Sequence, residues 1–286
     1  MTAKARKTKF SKLQSEFYNQ HPPLVPWPNL LAKYGLSLLY KPREIFWRKE
    51  LDSLKLLPSH KVCDVGCGQG IFLARMNKTY KVKGYGIDIS ENSIKYACEN
   101  FESKDLEFIV ADATYLPFPG EFFDFVVSFD ALEHIDKQKI AIKEMVRVLA
   151  PKGKILIYTM NKNYKYTLDW VWEKLGFDIF ARAAHKKELL VDSRKIKKQL
   201  TTKGCRIVMF RLYDSFFTLL TDELIMIDIL ICKKLNLFRY NRLGKALLSY
   251  YNFISRLIFP VANLLDFPWY FFGKSLGFLV IAEKNE

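Results

Sequence analysis

The residues with the clearest capacity for chemistry form a glycine-rich stretch near residue 65. It reads Asp64-Val65-Gly66-Cys67-Gly68-Gln69-Gly70 and lies between a short apolar run and a helix-like run. Because glycine has no side chain, three alternating glycines let the chain turn tightly and let a ligand approach the backbone. The predicted helix after Gly70 presents free N–H groups and the positive end of its dipole. The pattern predicts a cofactor-binding loop.

Other residues could hold further parts of such a cofactor, because each follows a predicted strand. Asp88 comes 18 residues after Gly70, where a carboxylate can accept hydrogen bonds from both hydroxyls of a ribose. Asp112 could accept from an adenine amino group, and the small Ala113 leaves room for the ring. Phe129 begins a stretch that could close over the cofactor. Since ligands of open α/β sheets lie at the carboxyl ends of strands, we expect these residues to share one site.

Together, DVGCGQG, GIDIS, ADATYLPFP, FDALEHI and PKGKILI resemble the class I S-adenosylmethionine (SAM)-dependent methyltransferases, in the branch with the ubiquinone- and menaquinone-type enzymes. The resemblance covers residues 60–160 well, and 185–214 and 276–284 loosely. It implies SAM as the cofactor, with the glycines at its methionine end, Asp88 at its ribose and Asp112 at its adenine. The cofactor-binding residues expected on this basis are Asp64, Gly66, Cys67, Gly68, Gly70, Asp88, Ile89, Asp112, Ala113 and Phe129.

A nicotinamide-dependent dehydrogenase is the competing interpretation of the glycine loop. Its usual fingerprint is G-x-G-x-x-G. Here the third glycine comes one residue earlier, in D-x-G-x-G-x-G. The spacing therefore favours the methyltransferase.

The candidates for a general base are found among four histidines. A base matters if the methyl acceptor is a hydroxyl, and much less if it is a neutral amine. His134 lies beside the expected cofactor loop, and His185 precedes a basic helix, so both are candidate catalytic residues. The alternatives are a loop-ordering role for His134 and a plain surface position for His185. His21 precedes two prolines, and its alternative is a structural position in the entry loop without a catalytic role.

The elements that must position these residues alternate between strand-like and helix-like segments, which implies a parallel α/β sheet with helical crossovers. Strands are predicted at 61–66, 82–90, 106–113, 123–132, 153–160, 205–213 and 276–284, and helices at 70–78, 91–101, 140–149 and 193–203. The resemblance implies a Rossmann-like, seven-stranded, mostly parallel sheet with helices on both faces and an antiparallel last strand.

Four regions follow from this organisation. Residues 1–58 form a tail and a helical lid, with helices at 29–39 and 42–55, and residues 59–214 form the SAM-binding core. Residues 215–273 form an apolar helical insertion, and residues 274–286 form the last strand and tail. Aromatic and apolar residues with nearby lysines make the insertion either a cap over the sheet or a helix in a membrane interface.

Charge and cysteine content narrow the cellular setting. Residues 1–60 carry eleven basic against four acidic residues, and residues 161–286 carry 21 against 12, whereas residues 61–160 are nearly neutral. Basic flanks favour an anionic partner. Neither a secretory signal nor a run of about 18 apolar residues is evident. Five cysteines without a matching histidine or second pair predict reduced, buried thiols and no metal site.

The sequence thus predicts a cytoplasmic methyltransferase, with peripheral contact to an anionic membrane face, acting on an apolar or amphipathic small molecule. Lipid, quinone, glycolipid and polyketide-like molecules are the acceptor classes. One alternative is an RNA or protein methyltransferase that uses the basic flanks to bind phosphates or acidic surfaces. Another is a SAM-binding subunit without activity. The acceptor, the methylated atom and the oligomeric state are not predicted.

Overall fold

The computed structural model describes residues 49–177, 186–221 and 257–286, together with Glu16 and Leu224. Its elements in chain order are β1 (Lys61–Val65), α1 (Ile71–Tyr80), β2 (Lys83–Asp88), α2 (Glu91–Phe101), β3 (Leu106–Val110), β4 (Phe123–Phe129), α3 (Gln138–Val148), β5 (Leu149–Met160), α4 (Leu168–Lys174), α5 (Ser193–Thr202), β6 (Cys205–Tyr213), α6 (Phe267–Phe271) and β7 (Gly277–Lys284). Residues 49–53, 217–221 and 257–265 are also helical.

The seven strands form one sheet in the order β3-β2-β1-β4-β5-β7-β6. Strands β1 to β5 pair in parallel, and β7 runs antiparallel to both β5 and β6. The predicted fold class, with its antiparallel last strand, is confirmed. Since β7 alone is reversed, strands β1 to β6 end, and β7 begins, at the same edge. We call this the carboxyl edge.

Local sequence explains where several helices begin. The Ser90 side chain accepts a hydrogen bond from the Ser93 N–H at the start of α2, and the Asp192 side chain accepts one from the Arg194 N–H at the start of α5. Such caps satisfy backbone donors that a helix leaves without a partner. Helix α1 begins differently, directly after Gly70 in a left-handed conformation, so its first turn stays open towards the glycine loop.

Helices cover both faces of the sheet. Helices α3 and α5 bury residues such as Met145 and Leu200 against one face. Helices α1 and α2 and residues 49–53 bury Leu73, Ile94 and Leu51 against the other. A third apolar group lies beyond the carboxyl edge and is called here the cap cluster. It consists of Tyr164, Leu168, Leu190, Leu219 and Leu276.

The boundaries of several strands differ from the prediction, by three or four residues at one end of β3, β4 and β5, and β4 ends at Phe129 instead of residue 132. Strand β3 ends at Val110 rather than at residue 113, because Asp112 starts a turn in which the Tyr115 N–H donates to the Asp112 carbonyl at 2.9 Å. Strand β5 begins at Leu149 instead of residue 153, since Leu149 pairs with Phe123. Helix α4 was not predicted. It begins after Thr167, whose hydroxyl accepts from the Trp170 N–H at 3.4 Å.

The predicted insertion is helical where the structure describes it, at 217–221 and 257–271. Asp266 joins its two ends. One carboxylate oxygen accepts from the Phe216 and Phe217 N–H groups at 2.9 and 2.8 Å, and the other accepts from the Thr218 N–H and hydroxyl at 3.1 and 2.5 Å. Within the described part of the chain, no helix is long and apolar enough to cross a membrane. The predicted helix at 29–39 and residues 42–48 of the second lid helix lie outside the described residues.

Candidate functional site

The glycine loop lies at the carboxyl edge and is fastened to the neighbouring strand. The Gly66 and Cys67 N–H groups both donate to the Ile87 carbonyl of β2, at 2.7 and 3.0 Å. The loop therefore continues the line of β1 beside the end of β2, where a ligand can contact both strands.

Asp88, the last residue of β2, shapes this loop directly. One of its carboxylate oxygens accepts from the Gly68 N–H at 2.8 Å, and the other accepts from the Ser90 N–H at 2.9 Å. Burial raises the pKa of Asp88, and these backbone hydrogen bonds oppose that rise. The carboxylate that the sequence assigned to the ribose is thus also part of the frame of the glycine loop.

Glycine is needed at the three loop positions for different structural reasons. All have positive φ, at 81°, 52° and 73° for Gly66, Gly68 and Gly70. A Cβ on Gly66 would lie 2.3 Å from the Ala131 Cβ, and one on Gly70 would lie 2.5 Å from the Phe108 ring. Around a Cβ on Gly68, no heavy atom of the described residues lies within 4 Å, apart from those of its two chain neighbours. Packing requires Gly66 and Gly70, whereas Gly68 borders the open space that a cofactor can use.

The residues predicted to contact adenine lie just after the end of β3. The Ala111 N–H donates to the Asp88 carbonyl at 2.9 Å, which brings this turn next to β2. Asp112 is buried, and its Oδ1 accepts from the Thr114 N–H and hydroxyl at 2.8 and 2.7 Å. Both hydrogen bonds end on Oδ1, so Oδ2 is the oxygen that we expect to accept from an amino group. Ala113 is half-buried beside it.

Asp64 and Cys67 are largely buried parts of the same loop region. Burial, followed by the nearby Asp88 carboxylate, raises the pKa of Asp64 to about 7. The Cys67 thiol belongs to the core on the α1 face, and its Sγ lies 3.6 Å from the Gly68 carbonyl. Two carboxyls near the loop make the region favourable for a positively charged ligand, and the cation of SAM, a sulfonium, fits this requirement.

The segment after β4 reaches the same edge. The Phe129 ring packs against Phe72 of α1, with centroids 4.3 Å apart. Asp130 has a φ of 48°, and its N–H donates to the Tyr158 carbonyl at 3.0 Å. A left-handed conformation at a residue other than glycine is strained and is often found at functional sites. Ala131 then packs on Gly66, so this segment and the glycine loop are in contact.

Glu133 is a buried carboxyl in this segment that the sequence analysis did not single out. It accepts from the Thr159 hydroxyl at 2.6 Å and from the Met160 N–H at 3.3 Å. Burial, followed by the nearby Asp130, raises its pKa to about 8. Glu133 therefore fixes the segment to the end of β5. Its signal in the sequence was weak, because Asp130, His134 and Asp136 make the same stretch polar.

The two histidine candidates have different outcomes. His134 is half-buried at the end of a short 3-10 helix, Leu132–His134, and its backbone N–H donates to the Ala131 carbonyl. It thus lies at the carboxyl edge, where either predicted role is possible. His185 and His21 lie outside the described residues.

A second polar pair at this edge was also missed. The Tyr158 hydroxyl donates to Asp214 at 2.5 Å, and both side chains are buried. A Cβ on Gly277 would lie 2.5 Å from that hydroxyl, so the glycine makes room for the pair. Tyr158 and Asp214 are 56 residues apart. No spacing rule could have joined them.

The arrangement agrees with comparisons to known proteins. Residues 63–157 match the family model described as a methyltransferase domain. Over 109 residues the chain is 38% identical to phosphoethanolamine N-methyltransferase from Triticum aestivum, covering 37% of this chain and 22% of that protein. Over 164 residues it is 30% identical to norajmaline N-methyltransferase from Rauvolfia serpentina, covering 50% and 56%. The chain spans about a fifth of the length of the first relative.

Solved structures support the fold. A candidate sarcosine dimethylglycine methyltransferase from Galdieria sulphuraria has a TM-score of 0.59 at 15% identity, covering 85% of this chain and 86% of that one. Phosphoethanolamine N-methyltransferase 2 of Haemonchus contortus, solved with SAM, has a TM-score of 0.56 at 18% identity, covering 84% and 53%.

Residues 63–157 are therefore similar to a methyltransferase domain, and the seven-stranded sheet has the fold of the solved methyltransferases compared above. The sheet continues beyond this segment, and β6 and β7 complete it. Among the methyltransferases, the narrower resemblance to the ubiquinone- and menaquinone-type branch stays a prediction.

Proposed function

We propose that this protein is an enzyme that transfers a methyl group from SAM to an apolar or amphipathic small molecule. One observation carries the proposal. The glycine loop, Asp88 and Asp112 lie at consecutive strand ends, and the described residues beyond the chain neighbours of Gly68 leave the space around a Cβ at this glycine open. The residues proposed to hold SAM are the ten predicted from the sequence, of which Asp64 is the first in the chain and Phe129 the last.

These residues divide the work of binding. Bound SAM would supply an electrophilic methyl group. The Asp88 carboxylate is proposed to accept from the ribose hydroxyls, and Asp112 Oδ2 from the adenine amino group. The buried Asp64 and Asp88 favour a positive charge near the loop. The protein's main contribution is then to position and desolvate two reactants.

The cap cluster supports an apolar acceptor. It lies at the carboxyl edge, and Met160, Trp170, Trp172 and Phe216 pack around it. Acceptor pockets are typically apolar with a few polar groups. The relatives' names give phosphoethanolamine and the alkaloids ajmaline and norajmaline as acceptors methylated at nitrogen. Amines are therefore the first acceptors to screen, followed by lipid, quinone and polyketide-like hydroxyls. We further propose that the enzyme works in the cytoplasm.

Calorimetry with SAM and with NAD is the first test. We expect the folded protein to bind SAM and not NAD, and the reverse result would refute the methyltransferase proposal. The acceptor is then sought by giving cells with and without the protein methyl-labelled methionine. We expect the difference to appear among small molecules or lipids. Label in RNA or protein would instead support the alternative that uses the basic flanks. SAM binding without any labelled product would support a non-catalytic subunit.

A further inference from the structure

Helices α4 and α6 carry an exposed apolar surface. In and next to α6, four large apolar side chains are between 62% and 73% exposed: Leu264, Phe267, Phe271 and Phe272. Just after the end of α4, Leu175 and Phe177 are more than half exposed. Single exposed apolar residues are ordinary, but a contiguous group of large ones marks a binding surface.

Aromatic contacts join the two helices. The Trp269 Nε1–H of α6 donates to the Tyr166 carbonyl just before α4, at 2.6 Å. The Tyr166 ring contacts Trp170 of α4, with centroids 5.0 Å apart. Trp269 also stacks on Phe216 at 5.7 Å. These contacts hold α6 against the start of α4, and we call the exposed side chains of the two helices and of the residues next to them the α4–α6 surface.

The exposed charges on this surface are lysines, whereas the acidic residues of the two helices, Asp169, Glu173 and Asp266, are partly or fully buried. Between residues 257 and 273, Asp266 is the only charged residue, and it is buried in its hydrogen bonds to residues 216–218. The exposed Lys165 lies 4.9 Å from the Tyr166 ring, and the exposed Lys174 lies 5.9 Å from the Trp170 ring. Glu173, the acidic residue beside Lys174, pairs with Lys187.

The surface lies at the functional end of the molecule. Helix α4 follows the end of β5, and α6 precedes the start of β7, and these two strands pair there through Met160 and Gly277. The glycine loop, Asp88 and Phe129 lie at this same carboxyl edge. What docks on the surface is thus brought to the side of the sheet that carries the methyl donor.

We infer that the α4–α6 surface docks on an anionic lipid bilayer and lets the acceptor reach the site from the lipid phase. The second half of this inference rests on the proposed function, whereas docking does not. Aromatic side chains sit well at the boundary between headgroups and acyl chains. Lysines beside them can lay their methylene stems on apolar groups while their ammonium groups meet lipid phosphates.

A second copy of the chain is the less suitable occupant. A two-fold interface would place the same patch on itself, so the lysines that border the patch of one copy would lie near those that border the patch of the other. Like charges at an interface are unfavourable. An anionic bilayer instead complements both the apolar centre and the positive border.

The test is co-sedimentation of the full chain with vesicles of phosphatidylcholine alone or mixed with phosphatidylserine. One variant combines Phe271→Ser and Phe272→Ser, and Leu57→Ser is its control, because Leu57 is 53% exposed and precedes β1 at the opposite edge. The other combines Lys165→Glu and Lys174→Glu, with the exposed Lys104→Glu before β3 as its control.

We expect binding to the mixed vesicles, partial release by salt, and weaker binding to phosphatidylcholine alone. The phenylalanine variant should lose at least about tenfold in partition, the lysine variant about fivefold for each lysine, and the controls nothing. Calorimetry on the same samples separates the two proposals. Failure to bind SAM would refute the methyltransferase function, whereas the vesicle experiment would still decide whether the surface docks on a bilayer.

Three results would overturn docking. The wild type could remain in solution with both vesicle types. The phenylalanine variant could bind as the wild type does. Finally, sedimentation equilibrium could show a dimer that this variant loses, which would make the surface an interface between copies.

Discussion

Asp88 Oδ2 lies 2.8 Å from the Gly68 nitrogen, so the carboxylate proposed to bind the ribose also holds the glycine loop in place. The second oxygen is occupied by the Ser90 N–H. Cofactor binding and loop geometry thus depend on one side chain, and variants at this position test both.

Asp88→Ala should weaken SAM binding by about 1–3 kcal/mol, the usual loss for charge-assisted hydrogen bonds. Asp88→Asn should lose less, because its amide oxygen can still accept from Gly68. Calorimetry measures both, with the exposed Glu107→Ala as the control. Wild-type affinity in Asp88→Ala would show that the carboxylate does not contact the cofactor.

Gly68 and Gly70 form a matched pair, because both have positive φ but only Gly70 is crowded. Alanine at either position carries about 1–2 kcal/mol of backbone strain. Gly70→Ala should destabilise the fold further, since its Cβ would overlap the Phe108 ring. Gly68→Ala should lose only this backbone strain in stability yet bind SAM much more weakly, and Gly68→Val should abolish binding. Thermal unfolding and calorimetry separate the two effects. Unimpaired SAM binding by Gly68→Val would show that the glycine loop does not contact the cofactor.

SAM affinity should depend on pH through Asp64. Its pKa of about 7 in the ligand-free protein means that the carboxyl is partly protonated at neutral pH. A bound cation favours the ionised form and lowers that pKa, so the complex holds fewer protons than the free protein. Affinity should therefore rise with pH up to about 7, by at most about tenfold per unit, and level off above it.

Calorimetry across this pH range in two buffers counts the released protons. Asp64→Asn is the control and should remove the dependence. A flat profile in the wild type would mean that Asp64 does not sense the charge of the cofactor.

His134 is tested through turnover once an acceptor is known. If the acceptor is a hydroxyl and His134 is the base, His134→Ala should lose about 10²–10⁴-fold in rate with little change in SAM affinity. His185→Ala is made in parallel. If both variants keep full turnover, the acceptor is better explained as an amine or a carbon, or another residue is the base.

Asp266→Ala should loosen the base of the insertion. It removes five hydrogen bonds, two on Oδ1 and three on Oδ2, of which the one from the Tyr270 hydroxyl is long at 3.5 Å. The expected loss of stability is at least about 1.5–3 kcal/mol, the range for one hydrogen bond to a charged group. Denaturant unfolding measures it, and Asp192→Ala, which removes an exposed helix cap, gives the scale of a local loss of about 1 kcal/mol. A smaller effect at Asp266 than at Asp192 would contradict the structural role.

Local patterns predicted the core of the fold well. Strand β1 is short, apolar and almost fully buried, and α2 shows its capping serine, so both could be found from neighbouring residues alone. The glycine loop, Asp88 and Asp112 were found in the same way, because each lies at the end of an element with a clear period.

Contacts between distant parts of the chain could not be predicted. The Tyr158–Asp214 pair and the Asp266 contacts join residues about 50 positions apart, and only the pairing of β5, β7 and β6 brings them together. Helix α4 was missed because its aromatic residues are typical of strands as well, and its contact with Trp269 could not be foreseen.

The Leu276 N–H donates to the Asp214 carbonyl at 2.7 Å, where the chain leaves β6 and returns to β7. A detour whose ends already touch can change in length at little entropic expense, about 0.6 kcal/mol for each doubling. Evolution can therefore exchange the segment between β6 and β7 for another while the strands proposed to bind the methyl donor fold as before. The protein is in this sense two inheritable parts, one constant and one replaceable, whose junction lies where β6 ends and β7 begins and is supported by the contact of α6 with Tyr166.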